Sequence, residues 1–329
     1  MRFAPDADQL DLRDGVRTLL DKRSDPAAVR AAWAPDAGGA LRGQWRELAG
    51  MGVVGLLAPE SAGGSGFDWE TAALIFEEAG RAALALPLLE TAGIAVPALV
   101  AAGDPTGLLP AVLDGSAVVT VSLDGAPAPG ATLADAVIVG SSVGVTLHGP
   151  GEFTVVPVVS VDHSRRLGRV APTGPGVALE GVDAAALGDL GALGASAVLV
   201  GLAERMLDMT VTYVKGRQQY GVPIGSFQAV KHHLANVLVQ LAFARPAVAY
   251  AAYAERCGQP DRRRAISMAK ALASDAATFA ARQCLQCHGA MGYTDEYDLQ
   301  LWMKRSWALA ATYGGPAWHR SRVADELGI

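Results

Sequence analysis

The chain has 329 residues, of which 51% are hydrophobic and 18% charged, so it is a folded globular protein with one large domain or two to three smaller ones. Its formal net charge of −6 argues against a nucleic-acid partner, because phosphates demand a basic face. Three cysteines do not make a disulfide framework. We expect no secretory signal and no membrane span, since the most apolar stretch, 84–100, is interrupted by Pro87, Glu90 and Pro97. The protein is expected to be soluble and cytoplasmic.

The first hundred residues have the apolar spacing of helices. Leu12, Val16 and Leu20 lie on one helical face. Further helices are predicted over about 40–49 and from about Asp68 onward. This part of the chain is therefore predicted to be helical.

The character of the sequence changes near Gly103. Short β-branched runs occur at 118–121, 136–139 and 153–156, and glycines and prolines separate them. A small β-rich segment is therefore predicted in the middle of the chain.

From about Leu193 the apolar pattern is again helical and strongly periodic. It predicts three or four long antiparallel helices, joined by glycine-containing turns. The fold is therefore predicted to be mainly α, with an N-terminal helical domain over residues 1–110, a reduced middle β domain over 111–188 and a C-terminal helical bundle over 189–329.

Two motifs that contain histidine or cysteine could bind a metal or haem. For each of them, the sequence favours a structural role instead. Cys284-Leu285-Gln286-Cys287-His288 matches the haem-attachment pattern, but it ends a long apolar helix in a chain with no visible export signal. His232 and His233 are adjacent, so on a helix their side chains point about 100° apart and cannot grip one metal well. No metal site is predicted.

The segment 217–228, RQQYGVPIGSFQ, places an arginine, an aromatic residue and several amides in a glycine-rich turn between two long helices. An arginine fork and neighbouring N–H groups can clamp a pyrophosphate. The same composition is also compatible with a polar loop whose arginine caps the preceding helix, and physical chemistry alone slightly favours that loop.

This segment resembles the C-terminal domain of acyl-CoA dehydrogenases, as does the turn Gln286–Tyr293, in which Ala290 replaces a family glycine. The stretch from Trp45 to Gly66 and the run Glu77–Arg81 are similar to the N-terminal helices of that family. The resemblance implies an N-terminal helical domain, a middle β domain and a C-terminal four-helix bundle. It also implies oxidation of an acyl-CoA thioester with FAD as the cofactor.

In the family, FAD lies across a subunit interface, with its ring on one subunit and its pyrophosphate and adenine end on the other. The resemblance assigns the latter contacts in this chain to six residues: Arg217, Gln219, Tyr220, Gln228, Gln286 and Gly289.

The family removes the substrate α-proton with a carboxylate, and the chain lacks one where it is expected. The usual position, after a tyrosine near the C-terminus, is Gly314, next to Tyr313. An alternative family position falls near Gly191, again a glycine. Asp189, two residues away, is the fallback candidate for the base; otherwise no catalytic residue is assigned.

The middle segment also lacks the family's flavin-platform motifs. Together these losses resemble the shorter subunit of actinobacterial heteromeric (α2β2) acyl-CoA dehydrogenases that act on steroid side-chain thioesters. The implied partners are a homologous full-length subunit, an acyl-CoA and an electron-transfer flavoprotein or similar acceptor. Two alternatives remain open: a self-sufficient homo-oligomer that uses Asp189, and a scaffold that has lost FAD.

Overall fold

A computed structural model describes residues 5–329 of the chain. In that range, helices make up the first part of the chain up to residue 113. They are α1 (Ala7–Arg23), α2 (Pro26–Ala31), α3 (Gly38–Gly50), α4 (Trp69–Arg81), α5 (Val96–Ala101) and α6 (Leu109–Leu113), with a π-helix at Leu89–Ala95. Helix α1 begins with a capping box, in which the Asp6 side chain and the Gln9 side chain satisfy each other's backbone N–H groups.

The middle part of the chain consists of short strands. They are β1 (Val119–Leu123), β2 (Ala136–Ser141), β3 (Gly144–His148), β4 (Phe153–Pro157), β5 (Gly168–Pro172) and β6 (Val177–Ala178). Strand β1 pairs parallel with β2, β3 runs antiparallel to both β2 and β6, and β4 and β5 form a separate antiparallel pair. All three predicted strand runs are confirmed.

The last part of the chain is a bundle of long helices. They are α7 (Ala184–Gly216), α8 (Gln228–Arg256), α9 (Arg262–His288), α10 (Leu299–Ala311) and α11 (Pro316–Leu327), with a short hairpin of β7 (Gln218–Gln219) and β8 (Val222–Pro223) between α7 and α8. The predicted mainly α fold, with β structure between two helical parts, is confirmed. The elements change type between 113 and 119 and between 178 and 184, and the domain division near those points stays a prediction.

Helices α4 and α7 cross in direct backbone contact. An added Cβ at Gly80 would lie 2.8 Å from the carbonyl carbon of Val198, and one at Gly201 would lie 2.8 Å from the amide nitrogen of Arg81. Real Cβ atoms essentially never come this close. Glycine at both positions therefore allows the N-terminal helices to share a core with the bundle.

A buried arginine connects all three parts of the chain. Arg305 on α10 donates to the carboxylate of Asp162 at 2.6 Å, to the hydroxyl of Ser164 and to the carbonyl of Leu84. Asp162 is 1% exposed and Arg305 is 8% exposed. A desolvated ion pair of this kind persists only when hydrogen bonds satisfy both partners, as they do here.

Two helices, α7 and α8, are long and apolar enough to cross a membrane by length and composition. They meet this criterion because alanine, valine and leucine raise the average hydropathy over a whole helical window, and a buried core helix meets it as well, so the expected absence of a membrane span is not contradicted. In α7, 78% of that window is buried inside the protein, which is typical of a core helix. In α8 the buried share is 39%, so much of its apolar surface is exposed in this chain.

Candidate functional site

Four of the six predicted FAD-contact residues line one open groove of about 510 Å³. They are Arg217, Gln219, Gln286 and Gly289. The side chains of Arg217, Gln219 and Gln286 are exposed, and none makes a hydrogen bond to another residue in 5–329. Unpaired donors and acceptors thus converge on a concave surface.

The ends of three long helices position these residues. Arg217 is the C-cap of α7, where the backbone turns to an extended conformation. Helix α8 begins at Gln228 without a side-chain cap, so its first N–H groups are unsatisfied, and Ala229 and Val230 of that turn line the groove. Gly289 ends α9 with φ of +60°, a region that favours glycine. A helix N-terminus with free N–H groups favours an anionic group such as a phosphate.

His288 forms part of the groove wall and is held rigidly. Its ring stacks on Tyr213 at 4.2 Å, its Nδ1 is 2.8 Å from the Cys284 carbonyl oxygen and its Nε2 is 3.0 Å from the Tyr297 hydroxyl. Burial lowers the pKa of His288 and raises the pKa of the Cys284 thiol to about 12. The cysteine–histidine motif therefore packs within the wall of the groove, in keeping with the structural interpretation.

Tyr220 and Gln228 do not line the groove. Tyr220 is 92% exposed, adopts a φ of +53° and contacts Phe227 edge-on at a ring-centroid distance of 6.3 Å. Gln228 is the exposed first residue of α8. Both lie beside the groove, on a surface that a partner could reach.

A second and larger cavity, of about 1010 Å³, lies between the β segment and the bundle. Tyr313, Gly314 and Asp189 all line it. We refer to it below as the cleft.

There is no space for a side chain at either glycine that stands at a family base position, Gly314 in the cleft lining and Gly191 behind Tyr313. A Cβ at Gly191 would lie 2.6 Å from the ring of Tyr313. At Gly314 a Cβ would lie 2.6 Å from the ring of Trp318, and the φ of +93° disfavours any L side chain there. Neither position could accept a glutamate without local rearrangement.

The fallback residue Asp189 is held by two arginines. Arg322 donates to its two oxygens at 2.5 and 2.9 Å, and Arg263 donates at 3.1 Å. The residue is 7% exposed. Both carboxylate oxygens are thus engaged by guanidinium groups and oriented toward them, away from a free position in which they could face a substrate.

The loop around Tyr313 and Gly314 is fixed from the interior of the bundle. Lys270 is fully buried and donates to the carbonyl oxygens of Ala310 and Gly314, each at 3.0 Å. Burial lowers the pKa of Lys270 to about 7. His319, whose pKa burial lowers to about 4, lies 2.9 Å from the Tyr313 carbonyl oxygen through its Nε2. The loop is thus held in place by its backbone.

Sequence reasoning missed Arg165 in the wall of the cleft and Glu90 beside it. Arg165 lies in its wall, and Glu90, on the π-helix, accepts a hydrogen bond from the Tyr313 hydroxyl at 3.2 Å. Glu90 had appeared only as an interruption of an apolar stretch. No local pattern connects residues 90, 165 and 313, so only the fold brings them together.

Comparison with known proteins supports the resemblance along the chain. The model for the acyl-CoA dehydrogenase N-terminal domain matches residues 6–107, and the model for the C-terminal domain matches 186–328. The chain is also 36% identical to acyl-CoA dehydrogenase IpdE2 of Mycobacterium tuberculosis, over 99% of both chains.

Solved structures share the fold over nearly the whole chain. The ChsE4–ChsE5 complex from Mycobacterium tuberculosis contains a chain that superposes with a TM-score of 0.90, at 24% identity, covering 100% of this chain and 99% of that one. A G363A variant of the Tcur3481–Tcur3483 steroid ACAD gives a TM-score of 0.87 at 25% identity, with 98% of both chains covered. From its two matching domains and its full-length relative, we conclude that the chain belongs to the acyl-CoA dehydrogenase family of FAD-dependent oxidoreductases.

Proposed function

We propose that this chain is the subunit of a heteromeric acyl-CoA dehydrogenase that completes a shared FAD site without supplying the catalytic base. The observation that carries the proposal is the contrast between its two cavities. The groove keeps unpaired polar groups suited to a dinucleotide, whereas the two family base positions, in the cleft and beside it, are glycines at which neighbouring rings leave no space for a side chain. The proposed three-domain division, with boundaries at 110/111 and 188/189, places the groove in the C-terminal bundle and the cleft against the middle β domain.

The residues of the groove fit the ADP portion of FAD. Arg217 can form a forked pair with a phosphate, and the first turn of α8 offers N–H groups beside it. Gln219 and Gln286 can provide amide hydrogen bonds, and Gly289 leaves the backbone open. Tyr220 and Gln228, at the rim, would complete the contacts against the partner. When bound, FAD supplies the acceptor for the hydride that leaves the substrate β-carbon.

The proposed partner is a homologous full-length subunit that contributes the base and the platform for the flavin ring. Helix α8 supports this assignment because it exposes large apolar side chains, of which Leu238, Val239 and Phe243 are 58%, 49% and 70% exposed. Exposed apolar surface of this kind marks protein–protein contact sites. The two-protein names of both structural relatives, ChsE4–ChsE5 and Tcur3481–Tcur3483, are consistent with such a partner.

The proposed reaction is α,β-dehydrogenation of an acyl-CoA thioester in the cytoplasm. A steroid side-chain thioester is the candidate substrate, supported by the steroid ACAD among the structural relatives. An electron-transfer flavoprotein or similar acceptor would reoxidise the flavin.

Co-expression with a full-length homologue tests the proposal. We expect the chain alone to bind FAD weakly and to show little dehydrogenase activity, and the co-purified complex to be yellow and active. The flavin content, measured from absorbance, should be one FAD per pair of chains. One FAD per chain, or ordinary turnover by the chain alone, would contradict the shared-site proposal.

In that complex, Arg217→Ala is expected to weaken FAD binding roughly 10- to 100-fold, as for loss of a charged hydrogen bond of about 1.5–3 kcal/mol. Arg46→Ala is the matched control, because Arg46 is exposed on α3, far from the groove in sequence and outside its lining. Titration of the apo-complex with FAD, followed by flavin fluorescence, gives both affinities. Equal affinities for the two variants would remove Arg217 from the FAD site.

Asp189→Asn separates this proposal from the self-sufficient homo-oligomer. Because Asp189 neutralises Arg322 and Arg263, we expect the substitution to destabilise the chain by about 1–3 kcal/mol while turnover of the complex is retained. Asp208→Asn, at an exposed position of the same helix, should change neither property. Loss of turnover with FAD still bound would instead identify Asp189 as the base.

A further inference from the structure

The cleft keeps a ligand-sized volume although the proposed function gives it no base. Its volume of about 1010 Å³ is at the upper end of the range that proteins use for small molecules. Much of its wall is aliphatic or aromatic, including Val121, Leu123, Pro127, Leu167, Ala308 and Trp318. Walls of this kind favour a ligand with an apolar body.

Arg165 places an unpaired guanidinium in this wall. The side chain is partly buried and makes no hydrogen bond, and no ion pair within 4.0 Å, with any residue in 5–329. Its backbone is fixed, since its N–H donates to the Asp162 carbonyl at 3.3 Å and its carbonyl accepts from the Gly130 N–H at 2.7 Å. The guanidinium is therefore presented to the cavity by a well-anchored segment.

The two carboxyl groups that attract Arg165 electrostatically, Glu90 and Asp162, form their hydrogen bonds with other groups. Glu90 accepts the Tyr313 hydroxyl hydrogen bond, and burial raises its pKa, which favours the neutral acid. Asp162 is paired with Arg305 and accepts from Ser164. Desolvation accordingly lowers the pKa of Arg165 more than these neighbours raise it. A partly desolvated guanidinium in such surroundings is stabilised by an anionic ligand.

The charged residues in the cleft lining and the solvent exposure of the lining residues indicate how a ligand would be oriented in it. The lining contains three arginines, at 165, 263 and 322, against the two aspartates at 124 and 189, so one positive charge is in excess. Arg165 also borders the smaller cavity that contains buried Glu90, which places it at the inner end. Trp318, 55% exposed, and exposed Asp124 mark the mouth.

We propose that the cleft binds a monocarboxylic acid with an apolar body, whose carboxylate pairs with Arg165 and whose body lies along the aliphatic walls toward Trp318. A single excess positive charge matches a carboxylate better than a phosphate dianion, which would need further donors. This site is separate from the FAD groove and does not depend on it.

Decanoate is a suitable probe, with 1-decanol as the neutral analogue, both below micelle-forming concentrations. We expect the purified chain to bind decanoate in isothermal titration calorimetry at least tenfold more tightly than 1-decanol. Arg165→Gln should weaken decanoate binding at least tenfold, and Arg169→Gln, an exposed arginine outside the cleft lining, should leave it unchanged.

A second variant tests the location independently of the arginine. A side chain at Gly188, which lines the cleft, meets no atom within 4 Å of its Cβ, so Gly188→Leu should fold and fill the cavity. We expect it to abolish decanoate binding. Arg217→Ala, in the groove, should not affect it, which distinguishes this proposal from the shared FAD site. No binding by the unmodified chain, equal binding of 1-decanol, or full binding by Arg165→Gln or Gly188→Leu would overturn the proposal.

Discussion

Replacing Gly201 by alanine is expected to lower the free energy of unfolding by about 3 kcal/mol or more, because the new methyl group has no space and no flexible neighbour to displace. Its Cβ would overlap the carbonyl oxygen of Glu77 and lie 2.8 Å from the amide nitrogen of Arg81. Both are backbone atoms of α4, so the helices themselves must separate. Such a separation would also loosen the side chains packed around the crossing.

Gly188→Ala provides the matched control, since Gly188 lies in the same helix and has nothing within 4 Å of its added Cβ. There alanine should raise stability by about 0.5–1 kcal/mol through its higher helix propensity. Urea denaturation, followed by circular dichroism, measures both changes from the shift in midpoint at constant slope. Similar midpoints for the two variants would show that the α4–α7 contact is not close-packed.

Substituting Arg305 by methionine should destabilise the protein by about 3–5 kcal/mol, the usual effect of leaving a buried charge without its partner. Asp162, at 1% exposure, would lose the guanidinium 2.6 Å away, and the Leu84 carbonyl would lose a donor. Methionine retains most of the side-chain length, so the main loss is that of the charge and its hydrogen bonds.

Two further variants separate charge from packing at this site. Arg305→Met combined with Asp162→Asn should recover part of the lost stability, because the uncompensated anion is removed. Arg23→Met breaks the exposed pair with Glu47, whose side chains are 55% and 37% exposed, and should cost no more than about 1 kcal/mol. Thermal melting of the three variants gives the comparison. Equal losses of stability for Arg23→Met and Arg305→Met would mean that the buried ion pair stabilises the protein no more than the exposed one.

The fold could be predicted because its signals are local, and the groove residues could be assigned because the motifs that resemble the family are local too, although their contact with FAD stays a prediction. The apolar period predicted the long helices, and the β-branched runs predicted β1, β2 and β4. The turn after α7 and the end of α9 contain the motifs from which Arg217, Gln219, Gln286 and Gly289 were assigned, and the structure places all four together.

The cleft could not be predicted in the same way, because its properties depend on contacts between distant residues. Asp189 looked available as a base until the fold placed Arg322, 133 residues later, against it. A glycine at 191 carried no sign that the Tyr313 ring occupies the space beside it. The parallel pairing of β1 with β2 likewise depends on the path of the intervening chain, and no turn signal specifies it.

The length of α7 limits how one cofactor molecule can use this chain. Asp189, beside the cleft, is near the first turn of the helix, and Arg217, in the groove, is at its other end. A rise of 1.5 Å per residue separates their Cα atoms by roughly 42 Å. A single dinucleotide held by Arg217 therefore cannot bring its ring into the cleft of the same chain. Under the proposed function, the ring of an FAD anchored in this groove would therefore lie in a pocket of another polypeptide, and the dehydrogenase would have no complete site within one chain.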